Sequence, residues 1–243
     1  MNRRNFISYS SIALGGATVL RQNLDVTALS GNAKYFFAKS GIVGNGNDAC
    51  FGILKTSDYD NDNDWLLRAR NDFGFRSELR YSNNDKFKVP FAKALLDYFV
   101  SRDTLSFACA SISRTTFDSA NENSSNQVSR LQKGNIKANY IHQLLGELEP
   151  ETNQVVIMKS EYSFGSGNQF HRFFEHNTAI TTVDKIYFEE DLLQLSSLII
   201  GCIKADLQQS SLNAVNTQIL NHLKGSLGIE SFTELNNDKI KII

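Results

Sequence analysis

Apolar residues are arranged along this chain in two rhythms. The first is the short unbroken run. Tyr35, Phe36, Phe37 and Ala38 form one, and residues 49–54 form another. Between them Gly41, Gly44, Asn45, Gly46 and Asn47 supply positions that tolerate positive φ, so the pair predicts a β-hairpin. Because its apolar residues are consecutive rather than alternate, the first strand is expected in the middle of a mixed sheet, buried on both faces. Runs at 104–112 and 154–158 predict further strands, with another at 180–188.

The second rhythm is the three-and-four spacing of amphipathic helices. Phe91, Leu95, Tyr98 and Phe99 share one face of a helix over 87–100. Ile136, Tyr140, Ile141, Leu144, Leu145 and Leu148 line another, which Glu149-Pro150 stops. A helix is expected near 169–176, and one at 212–223. Residues 191–207 form the most apolar helix, with Leu192, Leu195, Ile199 and Ile203 on one stripe, and it should lie against the sheet. The tail at 240–243 reads as a weak strand or a disordered end.

Polar stretches separate these elements. Residues 118–126 have the serine, asparagine and acid content of a loop. Residues 57–64 carry Asp58, Asp60, Asp62 and Asp64 at alternate positions, which raises calcium as a ligand. An EF-hand loop beginning at Asp58 needs glycine at its sixth position and glutamate at its twelfth, where Asn63 and Ala69 stand. The expectation is a solvated loop whose last member, Asp64, caps a helix starting at Trp65.

The N-terminal thirty residues have a different character. Arg3-Arg4 is followed by Phe6-Ile7, a short apolar run over 11–20, and Ala28-Leu29-Ser30, which resembles a twin-arginine export signal. The run is too short for a stable membrane span. Residues 1–30 are therefore expected to be a targeting segment, with a single domain over 31–243 and the cytoplasm as the alternative location.

Composition narrows the chemistry. The chain has 243 residues, of which 41% are hydrophobic, enough for one substantial core. With 25 basic and 26 acidic residues, no global positive field holds nucleic acid, and such a role would need a local patch. Cys50, Cys109 and Cys202 lie far apart in apolar segments and read as buried free thiols. His171 and His176 are five apart, which places them on different faces of a helix and argues against a histidine zinc site.

Four short stretches carry a resemblance: Ala38-Lys39-Ser40-Gly41, Glu78-Leu79-Arg80, Met158-Lys159 and Leu193-Gln194-Leu195-Ser196-Ser197. On these, over residues 35–223, the chain resembles the bacterial family called domain of unknown function 3800, whose members look like ribonuclease-H-type proteins. The resemblance implies an α/β fold, a ribonuclease-H-like mixed sheet with flanking helices. It also implies acids at the ends of the first and middle strands and on the late helix. This chain has Ala38 and Lys39, Lys159, and Ser197 there, and keeps only Glu78.

A ribonuclease-H-type site works through two divalent ions held by several carboxylates, which activate water and balance charge on the phosphate. One carboxylate does not hold such a pair. The expectation is a degenerate, catalytically inactive protein with no catalytic residues, metal or cofactor, serving as a binding or structural module. Its lysines would leave weak binding of phosphate or nucleic acid without cutting. One alternative is a magnesium- or manganese-dependent nuclease whose acids have moved, with Asp48, Glu78, Glu161 and Asp191 as candidates. A second is an exported binding protein stabilised by calcium at Asp58, Asp60, Asp62 and Asp64.

Overall fold

The computed structural model describes residues 33–40, 49–79, 81, 86–112, 126–148, 154–159, 180–185, 190–209, 212–235 and 237–243. The expected targeting segment, the hairpin turn, Asp48, Glu161 and the helix expected near 169–176 lie outside them.

The hairpin is present. Strand β1 (Lys34–Ser40) runs antiparallel to β2 (Ala49–Thr56), with Ala38 opposite Gly52. Its other edge pairs in parallel with β4 (Gln154–Lys159), so the YFF run occupies the sheet interior as its continuous apolar character requires. With β3 (Leu105–Ile112), β5 (Ile180–Lys185) and β6 (Ile240–Ile242), the order across the sheet is β5-β4-β1-β2-β3-β6. The pairings β1–β2 and β2–β3 are antiparallel; β1–β4, β4–β5 and β3–β6 are parallel. The tail is thus a strand, fixed also by the Ile243 amide donating to the Cys109 carbonyl at 2.9 Å.

Five helices flank the sheet among the described residues: α1 (Tyr59–Asp72), α2 (Val89–Ser101), α3 (Asn126–Glu147), α4 (Asp191–Leu207) and α5 (Ala214–Leu227). The chain forms the mixed α/β sheet with flanking helices that the sequence predicts. None of the described helices is long and apolar enough to cross a membrane.

Strand alternation divides the core. Phe36, Ala38, Leu54, Phe107 and Ile157 face α1, α2, α4 and α5, while Tyr35, Phe37, Phe51, Ile53 and Val156 face α3. Helix α4 lies on β1 and β2 and is buried along nearly its whole length, as its stripe predicted. Two glycines allow this closeness. A Cβ on Gly52 would meet Phe107 Cζ at 2.3 Å and Ile200 Cδ1 at 3.1 Å, and one on Gly201 would meet Tyr81 Cβ at 2.5 Å.

Helix α5 is bounded by its own sequence. The Asn213 side chain accepts from the Asn216 amide at 2.8 Å, and Gly228 closes the helix at φ +68°. Its Lys224 donates to Asp206 Oδ1 at 2.8 Å, and Asp206 Oδ2 accepts from the Phe232 amide and from Ser231 Oγ. Burial works against the charge on Asp206, but these hydrogen bonds outweigh it and hold the carboxyl below its ordinary value. Burial also pushes the Cys109 and Cys202 thiols well above their ordinary range, so they behave as small apolar side chains.

Candidate functional site

The resemblance directs attention first to the C-terminal end of β1. Ala38 is buried there on the face covered by α4, offering a methyl group and no oxygen. Lys39 follows, exposed, at the next alternation. The register Phe37↔Met158 brings β4 to the same edge, where it ends at Lys159 beside Lys185 of β5. Ser197 is half-buried on α4, next to Ser196, whose Oγ donates to the Phe36 carbonyl at 2.9 Å. Ala38 and Lys39 thus stand at the end of β1, Lys159 at the end of β4 and Ser197 on α4. The donor set they present, a methyl, a hydroxyl and lysines, does not fit a pair of divalent cations.

Glu78 enters elsewhere. The next residue, Leu79, donates its amide to Gln194 Oε1 at 2.8 Å, which sets Glu78 against the first turns of α4 beside Asp191. Helix α4 runs alongside β1 in the same direction. Tyr59 OH, under the Lys34 ammonium, donates to Glu190 at 3.3 Å; Ser196 reaches Phe36; Ile200 sits over Gly52, opposite Ala38. Asp191 and Glu78 thus belong to the start of β1, and Ala38 lies four residues, about 13 Å, along the strand.

Asp191, a candidate for a relocated catalytic acid, is committed to another partner. Arg70 Nε donates to both of its carboxylate oxygens at 3.0 Å, and Arg70 Nη2 bonds Oδ1 as well. The side chains are 14% and 5% exposed, a buried forked ion pair. Gln194 completes it, donating to Asp191 Oδ1 at 3.2 Å and accepting from Arg70 Nη2 at 3.1 Å. The other arm of the guanidinium holds the Phe75 and Ser77 carbonyls at 3.3 and 3.0 Å. One arginine so fixes α1, α4 and the 73–79 loop together.

The four alternate aspartates do not form the solvated loop that the sequence predicts. Helix α1 begins at Tyr59, a turn and a half before Trp65, so Asp64 lies within it and is not its cap. On a helix, alternate residues are about 200° apart, which turns Asp60 and Asp64 away from Asp62. Asp62 is fully buried. It accepts from Tyr98 OH at 2.7 Å, from Thr56 Oγ1 at 2.5 Å and from Thr104 Oγ1 at 3.1 and 3.2 Å, with Arg102 Nε 3.5 Å away. Burial and the bond to Asp62 push the Tyr98 phenol well above its ordinary value. Asp58 instead accepts from the Asn61 side chain at 2.8 and 3.0 Å. Among the described residues no group of three or more histidine, cysteine, aspartate or glutamate side chains stands together as a metal site.

Sequence reasoning missed these two networks, although a signal for one was present. The α1 stripe of Leu66 and Ala69, extended back one turn, falls on Asp62. An acid on the apolar stripe of a helix must be paired. The partners of Asp191 come from positions 70 and 194, over a hundred residues apart, and no local pattern ties them.

No family model matches the chain, and no curated protein matches it. Among solved structures it is similar to Bst-RNase HIII in complex with Mn2+, at 12% identity and a TM-score of 0.44. A mutant of the same protein gives 12% and 0.45. In both, 92% of this chain is covered but only 64% of the other, so this chain spans less than two thirds of the length of those it matches.

Proposed function

We propose that this chain is a catalytically inactive ribonuclease-H-like protein that acts as a binding or structural module. The observation that carries the proposal is the end of β1, where Ala38 puts a buried methyl group on the face that α4 covers. A divalent ion at that place has no carboxylate of the strand to bind. Lys39 adds positive charge at the same edge, and the acid of α4 that the alternative nuclease would use, Asp191, lies toward the other end of β1 and is paired with Arg70. Losing one ligand commonly costs a metal site 10–100-fold in affinity or activity, so the loss of several removes turnover. We also propose that residues 1–30 direct export, on the twin-arginine pattern alone.

The test of inactivity is an assay on RNA, DNA and hybrid substrates with magnesium and with manganese, beside Glu78→Ala. No cleavage by either protein is the expected result. Cleavage by the native chain that Glu78→Ala abolishes would establish the nuclease with relocated carboxylates instead.

A further inference from the structure

Sequence composition denies this chain a general affinity for nucleic acid but leaves room for a local patch, and one stretch of the chain, away from the strand ends, is locally basic. Between Trp65 and Lys93 stand seven basic residues against three acidic, in a chain whose net charge is -1. Among them Arg68, Arg76 and Lys86 are exposed. None of Arg76, Lys86 and Lys93 enters an ion pair among the described residues.

Two phenylalanines lie in this basic surface. Phe73 is 49% exposed and Phe87 79% exposed, while the other described aromatic residues are buried or half-buried. Both stand at the N-terminal end of α2. The Phe73 ring is 5.9 Å from that of Phe91 in the first turn of the helix, and Phe87 precedes Phe91 by four residues. The Lys86 ammonium lies 5.2 Å from the centre of the Phe87 ring. The first turn of α2 holds no acid, and Lys88 occupies its N-cap, so the helix dipole adds to the positive field.

The support beneath is rigid. Phe91 stacks on Phe75 with ring centres 4.5 Å apart, and the Arg70 guanidinium lies 5.3 and 5.5 Å from those two rings while it grips Asp191. A platform held in this way loses little freedom on binding, which is what a stacking surface needs.

We infer that the exposed Phe73 and Phe87, with Arg76 and Lys86, form a binding surface for single-stranded nucleic acid. Flat rings among unneutralised cations match a chain of stacked bases joined by phosphates. An acidic peptide would satisfy the cations but offer nothing planar to the rings, and a duplex hides its base faces in the stack. The inference goes beyond the proposed inactivity and does not depend on it.

The experiment is fluorescence anisotropy of a labelled twenty-nucleotide oligothymidylate, titrated with the full chain in EDTA over a range of salt. The chelator removes any metal-dependent cutting, so cleavage found in the earlier assay and failure to bind here are separate outcomes. Binding that weakens steeply with salt is expected. Phe87→Ala should weaken it about five-fold or more, and Phe73→Ala/Phe87→Ala further, while Phe87→Trp restores it. Arg76→Glu/Lys86→Glu should weaken binding and flatten its salt dependence. All four changes are at exposed positions, and unchanged thermal melting will verify folding. Absence of binding at low salt overturns the inference. So does binding that the phenylalanine variants leave intact, or equal affinity for the matching duplex.

Discussion

The two ends of β1 are built on opposite terms. Around its start, buried acids have been put to structural use: Asp191 with Arg70 and Gln194, Asp62 with Tyr98 and the two threonines, Glu190 with Tyr59 beneath Lys34. The same end holds Lys239, whose ammonium donates to the Leu105 carbonyl at 2.6 Å and to the Arg102 carbonyl. Toward the far end stand Ala38, a buried methyl group, and exposed Lys39, with half-buried Ser197 on α4. The contrast teaches that buried acids persist here where they tie helices to the sheet. Where the resemblance expects acids for chemistry, the positions hold alanine, lysine and serine.

The contrast is broken or sharpened most directly at Arg70. Arg70→Leu leaves the Asp191 carboxylate buried without its cation and should destabilise the fold by about 3–5 kcal/mol in urea unfolding. Arg70→Leu/Asp191→Leu should recover much of the loss. A single variant as stable as the native chain would mean that this end is not held by its charges.

Asp62→Ala comes next. Three hydroxyls lose their acceptor inside the protein, a cost of about 2–3 kcal/mol by the same measurement. Calcium should raise the melting temperature of neither the variant nor the native chain, because the Asp62 oxygens are already taken. A calcium-dependent rise of several degrees in the native chain would restore the aspartates as ligands.

A smaller effect should appear in alkali. Burial pulls Lys239 down from its ordinary 10.5 to about 8, only partly opposed by Asp103 and Asp62. Between these values the unfolded chain holds a proton there that the native chain has released, so this group makes stability rise with pH across that window. Tyr81 and Tyr98, whose phenols are held above their ordinary value of 10.0, act in the opposite sense beyond pH 10. The difference between the native chain and Lys239→Met, measured as unfolding midpoints from pH 7 to 10, isolates the lysine. A difference that stays constant with pH would refute it.

The smallest effects belong to the far end. Lys39→Ala, at an exposed position, and Ser197→Ala, at a half-buried one, should each change stability by no more than about 0.5 kcal/mol. A loss of 2 kcal/mol at either would erase the contrast.

Much of this architecture was legible before the structure. The consecutive apolar residues of β1 and the stripe of α4 specify burial by themselves, and their packing against each other followed. What failed was the reading of 57–64. A run of aspartates looks like a loop because polarity dominates its pattern, yet a single buried partner set for Asp62 converts the segment into the opening turns of α1. The tail was legible only in part, since three residues of a parallel edge strand are defined by β3 and not by their own sequence. The candidate site was legible as places but not as relations: Glu78 stands near the other positions in the family pattern and at the opposite end of β1 in the fold.

The placement of β1 also sets an order in time. Its antiparallel partner β2 follows within a score of residues, but its parallel partner pairs Lys34 with Val155, and the Ser196 bond to Phe36 spans 160 positions. During synthesis the three-stranded meander forms early, with one edge of β1 open until β4 emerges, roughly 2–9 seconds later at 5–20 residues per second. An unpaired apolar edge is a template for pairing with another chain. A cell making this protein quickly therefore has many half-built sheets waiting at once, and the yield of folded chain should depend on how well that interval is guarded.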